Sequence, residues 1–248
     1  MSSKPKAKST KVNSKYHNDK KTDKKKELDI ILKDLYFKPK NEHQKQFCDL
    51  IEDKEIIICA GPAGVGKSLL SVAKALELLR NPNNNFLKII LCTPAVEADE
   101  KLGSLPGTVD EKLAPYIHST MYLFEKLVGK ETTKHLINQG YVEVLGLGFM
   151  RGINIDNTIV IAEEFQNASH NQVKTLLTRI GYDSKFIISG DLEQSDRFKK
   201  QAETGLHNAF HRLENQGIEE IGFFRFQQSD IVRNKVISKI LDKYKDIN

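Results

Sequence analysis

Two short stretches hold residues whose types and spacing could do chemistry. The first is Gly61-Pro62-Ala63-Gly64-Val65-Gly66-Lys67-Ser68, which fits G-x-x-x-x-G-K-[ST]. Glycines in such a loop let backbone N–H groups turn inward around phosphates, where a Cβ would obstruct them. A helix opening at Lys67 would present its positive end to the same phosphates. Lys67 would reach the β and γ oxygens, and the Ser68 hydroxyl would ligate Mg2+. The second stretch is Glu163-Glu164, two acids directly after the apolar run Thr158-Ile159-Val160-Ile161-Ala162. Nucleotide hydrolysis needs a carboxylate in the metal shell and usually another to activate water. Glu163 is expected nearest the metal, with Glu164 polarising the water. The bland alternatives are a Gly-rich structural turn and a solvated acid pair opening a loop. Together the two stretches favour ATP, Mg2+ and hydrolysis.

A weaker signal follows Phe186-Ile187-Ile188-Ser189, in Gly190-Asp191-Leu192-Glu193-Gln194. Asp191 could support the metal's water shell, and Gln194 could hold the attacking water or sense the γ-phosphate. Alone, this would read as an ordinary loop.

The elements that must position these residues alternate in type. Strands are expected at Glu55–Ala60, Leu87–Cys92, Tyr141–Leu145, Thr158–Ala162, Lys185–Ser189 and Ile218–Phe226. Helices are expected at Glu42–Ile51, Lys67–Leu79, Lys112–Val128, Glu131–Asn138, Gln172–Arg179, Ala202–Asn215 and Asp230–Tyr244. Such alternation predicts an α/β fold with a mostly parallel central sheet flanked by helices. In such sheets ligands bind at the carboxyl ends of strands, where Gly61, Glu163 and Gly190 would lie.

The net charge of +5 is unevenly spread. Residues 1–27 contain ten Lys and three acids, and the remainder is slightly acidic. Residues 1–35 therefore read as a basic, disordered tail with a short helix at Leu28–Tyr36, and 36–248 as the folded domain. The tail could hold RNA, DNA or another anionic surface, or merely solubilise. No run approaches the roughly 18 apolar residues of a membrane span, so no membrane partner and a cytoplasmic location are expected. Cys48, Cys59 and Cys92 lack metal-ligand spacing and read as buried reduced thiols.

Taken in order, the segments from about Pro39 onward resemble those of the PhoH-like ATPases, relatives of the superfamily-one helicases. The likeness is carried by Gly61 to Ser68, Leu102-Gly103-Ser104-Leu105-Pro106-Gly107, Glu111-Lys112, Pro115-Tyr116 and Arg151-Gly152. It continues through Glu164-Phe165-Gln166-Asn167, Leu177-Thr178-Arg179-Ile180-Gly181, Gly190-Asp191 with Gln194, Gly205-Leu206 and Asp230-Ile231-Val232-Arg233. The resemblance implies a RecA-like P-loop NTPase core, ATP hydrolysis with Mg2+, and assembly into a ring of six. It also implies action on single-stranded nucleic acid, RNA before DNA, as a helicase-like motor. Gln44, after Lys38-Pro39-Lys40, is similar to the family's adenine-reading glutamine; a free, exposed glutamine is the competing view. Three positions depart from the family pattern: Thr93 where Arg usually precedes Pro94, Asp99 for Gly, and Glu163-Glu164 for Asp-Glu.

Transition-state charge on a transferring phosphoryl group is often met by an arginine from a neighbouring subunit. Arg233 is the first candidate, with Arg179 and Arg151 as alternatives to ordinary surface salt bridges. His207 and His211 fall on one helical face but lack further zinc ligands. Phe223, Phe224 and Phe226 around Arg225 fit a core strand better than a base-stacking surface. Three function classes follow: an ATP-driven nucleic-acid motor, a P-loop enzyme acting on a small molecule, and an ATP-dependent assembly module. A single core lacks the second one that monomeric helicases use, so motor action requires oligomers.

Overall fold

A computed structural model describes residues 22–94, 109–193 and 204–232, with the backbone alone for 109–117. Six strands form one sheet: β1 (Ile56–Ala60), β2 (Lys88–Cys92), β3 (Val142–Val144), β4 (Thr158–Ala162), β5 (Lys185–Gly190) and β6 (Ile221–Arg225). Their order is β3-β2-β4-β5-β1-β6, and every pairing is parallel. The described helices are α1 (22–31), α2 (Glu42–Asp53), α3 (Lys67–Arg80), α4 (Val109–Val128), α5 (Lys130–Asn138), α6 (His170–Leu177) and α7 (Gly205–Leu213). The α/β architecture expected from the alternation is present.

Each central strand is apolar on both faces, as a sheet covered on both sides requires. Ile57, Cys59, Ile89, Leu91, Ile159, Ile161 and Ile187 point into a core shared with α2, α3 and α4. Ile58, Ala60, Ile90, Val160, Phe186 and Ile188 point into a second core beneath α6 and α7. This period of two within continuous apolar runs is the pleat made visible. Strands β4, β5 and β1 are consecutive neighbours. Their carboxyl ends therefore line one edge, and a hydrogen bond from Gly61 N to Gly190 O (3.2 Å) ties two of them together.

Two expectations are corrected. The N-terminal helix lies at residues 22–31 rather than Leu28–Tyr36. Its Leu28, together with Leu32 and Leu35 beyond it, is buried in the first core. Lys25, read as part of a solvated tail, is 5% exposed. Its ammonium donates to Leu79 O (2.6 Å) and Asn81 O (3.2 Å), capping α3. Carbonyls at a helix C-terminus lack intrahelical partners, so a cation there is favoured twice over. Glu27 adds a link to Tyr141 (2.7 Å) and His135 (3.1 Å). The last helix does not open at Asp230. Residues Gln228–Asp230 form a 3-10 turn closed by a reciprocal Gln227–Asp230 cap, and Ile231 is extended. Val232 N then bonds Gly64 O (3.3 Å), holding this segment beside the glycine loop.

The aromatic strand β6 packs as core. Phe226 meets Phe47 and Phe224 at centroid distances of 5.3 and 4.8 Å. Phe223 meets Phe210, and the Arg225 guanidinium lies over that same ring while paired with Glu214. All three cysteines are buried and none forms a disulfide, and burial pushes the Cys48 thiol up to about 12. No described helix is long and apolar enough to cross a membrane.

Candidate functional site

The loop after β1 is shaped by its backbone. Gly64 and Gly66 adopt φ of 93° and 97°, a left-handed conformation that side chains resist. At Gly61 the constraint is space, because a Cβ there would come within 2.6 Å of Phe226 Cβ. Gly66 caps α3, whose first residues are Lys67 and Ser68. The Lys67 ammonium donates to Gly61 O (2.5 Å) and Pro62 O (3.0 Å) of its own loop. Burial pulls its pKa down, while Asp191, Glu164 and Glu163 hold it up.

The acids stand two strands away. Glu163 directly follows β4 at 9% exposure, and Glu164 takes a left-handed backbone, φ 57° and ψ 32°. Such a conformation is uncommon outside glycine and clusters at functional sites. Gln166 joins the tips of β4 and β5: its Nε2 donates to Glu164 Oε2 (2.7 Å), and its Oε1 accepts from Asp191 N (3.1 Å). The Glu163 carboxyl accepts from the Thr120 hydroxyl on α4. Burial raises the Glu163 pKa, and the Ser68 and Thr120 hydroxyls oppose that shift. Its other oxygen, Oε1, is buried without a hydrogen-bond partner.

One cavity of about 490 Å³ unites the two halves. It is lined by Ala63, Gly64, Gly66, Lys67 and Ser68 from the loop and by Glu164, Gln166, Gly190 and Asp191 from the strand tips. Tyr122, Leu123 and Lys126 of α4 form a wall. A glycine loop with left-handed backbone at Gly64 and Gly66, a lysine and a helix start suit a polyphosphate. The Ser68 hydroxyl and Asp191 in the lining, with the unpartnered Glu163 Oε1 buried behind it beside Ser68, suit a hydrated divalent cation, which needs only one or two protein carboxylates. The residues present fit both groups.

Gln44 is buried, not free on its helix: Nε2 donates to Val65 O (2.8 Å) and Oε1 accepts from Lys40 N (2.8 Å). It thus braces the glycine loop from α2. Arg179 lies away from the cavity, near the amino end of β4, where its carbonyl accepts from Ile155 N (2.9 Å). Arg151 is exposed on the turn after β3. Neither lines the cavity. Gln194, Arg233, Asp99 and the 102–107 motif lie outside the described residues. Two residues of the site were missed from sequence: Thr120, and the linking role of Gln166. Thr120 reaches Glu163 across 43 residues and Gln166 reaches Asp191 across 25, separations that no local pattern reports.

An all-parallel sheet with a phosphate-type loop after β1, and acids at the ends of the neighbouring strands, defines a P-loop NTPase-type protein. Comparison with known proteins narrows this. The family model for PhoH-like protein matches residues 36–245, and the chain belongs to that family. A PhoH-like protein of Bacillus subtilis is 38% identical over 81% of this chain and 61% of its own length. One from Mycobacterium leprae is 37% identical over 88% of this chain and 61% of its own. Protein PhoH of Escherichia coli K12 is 35% identical over 83% of this chain and 57% of its own. The chain thus spans about three-fifths of the length of these relatives. Among solved structures, the Pyrococcus furiosus Hef helicase domain aligns with 73% of this chain and 37% of its own. Its TM-score of 0.41 and 12% identity are too low to bear on function.

Proposed function

We propose that this protein binds ATP with Mg2+ and hydrolyses it. In this reading a ring of six copies uses the turnover to act on single-stranded nucleic acid, RNA before DNA. The observation that carries the reading is the shared cavity, in which Lys67 and Ser68 face Glu164 and Asp191. The loop N–H groups and Lys67 bind the phosphates, and Gln44, which braces the loop at Val65 O, is the candidate reader of the base. Ser68, Glu163 and Asp191 hold Mg2+, which supplies charge neutralisation at the phosphate oxygens. Glu164 accepts a proton from water, and its bond from Gln166 fixes the carboxylate's orientation. Gln194 assists in orienting that water. Arg151 and Arg179 do not line the cavity, so either would have to reach the γ-phosphoryl from a neighbouring copy. Arg233 is the first candidate for that part.

Hydrolysis assays with and without single-stranded RNA or DNA, paired with light scattering, test the proposal. The expected result is an oligomer whose ATP hydrolysis is stimulated by RNA. A strict monomer indifferent to both nucleic acids would remove the motor and leave an ATP-dependent assembly module. Absence of nucleotide binding would remove the whole reading.

A further inference from the structure

The Glu163 carboxylate is held by a residue that carries no sequence signature. Thr120 sits on α4 at 4% exposure, and its hydroxyl donates to Glu163 Oε2. A glutamate at the end of a strand has three side-chain torsions to fix, more than the strand alone can settle. The bond from α4 fixes one oxygen. The other, Oε1, is buried and has no hydrogen-bond partner. A buried carboxylate oxygen normally has a donor or a cation beside it. The same helix walls the cavity through Ser119, Tyr122 and Leu123, so the anchor for the carboxylate and the wall of the site are one rigid element.

We propose that Thr120 is a positioning residue for the metal shell, holding Glu163 Oε2 so that Oε1 faces the hydration shell of nucleotide-bound Mg2+. The inference rests on the ATPase reading above and deepens it. Outer contacts of this kind orient the groups that meet a metal, and their loss lowers metal affinity more than it disturbs the fold. A packing role for Thr120 predicts the reverse.

The test uses the full chain and a fluorescent ATP analogue, with binding titrated against Mg2+ and a thermal melt for each variant. Thr120→Val removes the hydroxyl and keeps the branched shape; Thr120→Ser keeps the hydroxyl and loses the methyl. Thr120→Val is expected to raise the Mg2+ concentration for half-maximal binding about tenfold or more. Thr120→Ser should stay within about twofold of wild type, and metal-free binding should be unaffected. If Thr120→Val does not fold, Thr120→Ala carries the same comparison. An unchanged Mg2+ requirement, or equal shifts in the valine and serine variants, overturns the assignment while leaving the ATPase reading standing. Wild-type protein that binds no nucleotide, or binds it without regard to Mg2+, overturns both.

Discussion

The turn after β1 and the turns after β4 and β5 border one cavity but follow opposite plans. After β1, one short stretch lines its side of the cavity, with its backbone shaped by left-handed Gly64 and Gly66. After β4 and β5, the site is made of side chains and held by partners far away in sequence. Thr120 holds Glu163, and Gln166 ties Glu164 to Asp191. A backbone cradle depends on φ angles and a lysine. An assembled tip depends on neighbouring side chains keeping their places. The first plan suits gripping a ligand of fixed shape, and the second suits aiming charge at reacting atoms.

The largest expected effect lies in the cradle. Lys67→Ala should lower ATP turnover on the order of 10³-fold. A circular-dichroism melt should remain near wild type, because the lysine contacts only loop carbonyls. Glu164→Gln should cut turnover about 10²-fold while nucleotide binding, followed by fluorescence, changes little. Parallel loss of binding there would erase the division between gripping and aiming. Gly190→Ala probes the assembled tip through space alone. The added Cβ would come within 2.5 Å of Gln166 Oε1 and 2.7 Å of Leu206 Cδ2. A loss of about 1–3 kcal/mol in urea unfolding is expected, with turnover falling as Gln166 is displaced. A smooth, functional alanine variant would mean that the Gln166 link is incidental.

The smallest effect concerns neither half and serves as a control on the frame. Lys185, at the opposite end of β5, is buried, and burial lowers its pKa to about 8 from 10.5. Between those values the unfolded chain holds a proton that the folded chain has released, so this group's contribution to stability rises with pH. Relative to Lys185→Met, wild type should gain about 1 kcal/mol between pH 8 and 9, read from urea midpoints. Taking the difference removes the opposing titration of the buried thiols, which begins near 9 in the unfolded chain. Turnover should not follow this titration.

The same contrast explains what could be read from the chain. The cradle, the β4 acids and most strand positions were legible because each is a contiguous pattern with its own period or spacing. Thr158–Ala162 was bounded correctly because an apolar run ends abruptly at two acids. The Thr120 bond was hidden, since a threonine within a helical pattern has no spacing relation to residue 163. The lysine-rich start misled for a related reason. Lys25 counts as charge in a sequence, yet in the fold its stem is covered and its ammonium caps α3. Gln44 illustrates the intermediate case. The family resemblance singled it out, but its bracing bond to Val65 O needed the three-dimensional arrangement.

The ammonium of Lys67 is already engaged with two carbonyls of the loop that carries it. Any anion recruiting that lysine must first persuade it to exchange partners, so measured affinity reports the difference between two sets of attachments. An alanine variant forfeits only that difference. Its weakened grip would therefore understate how firmly the lysine clasps its guest once the exchange is complete.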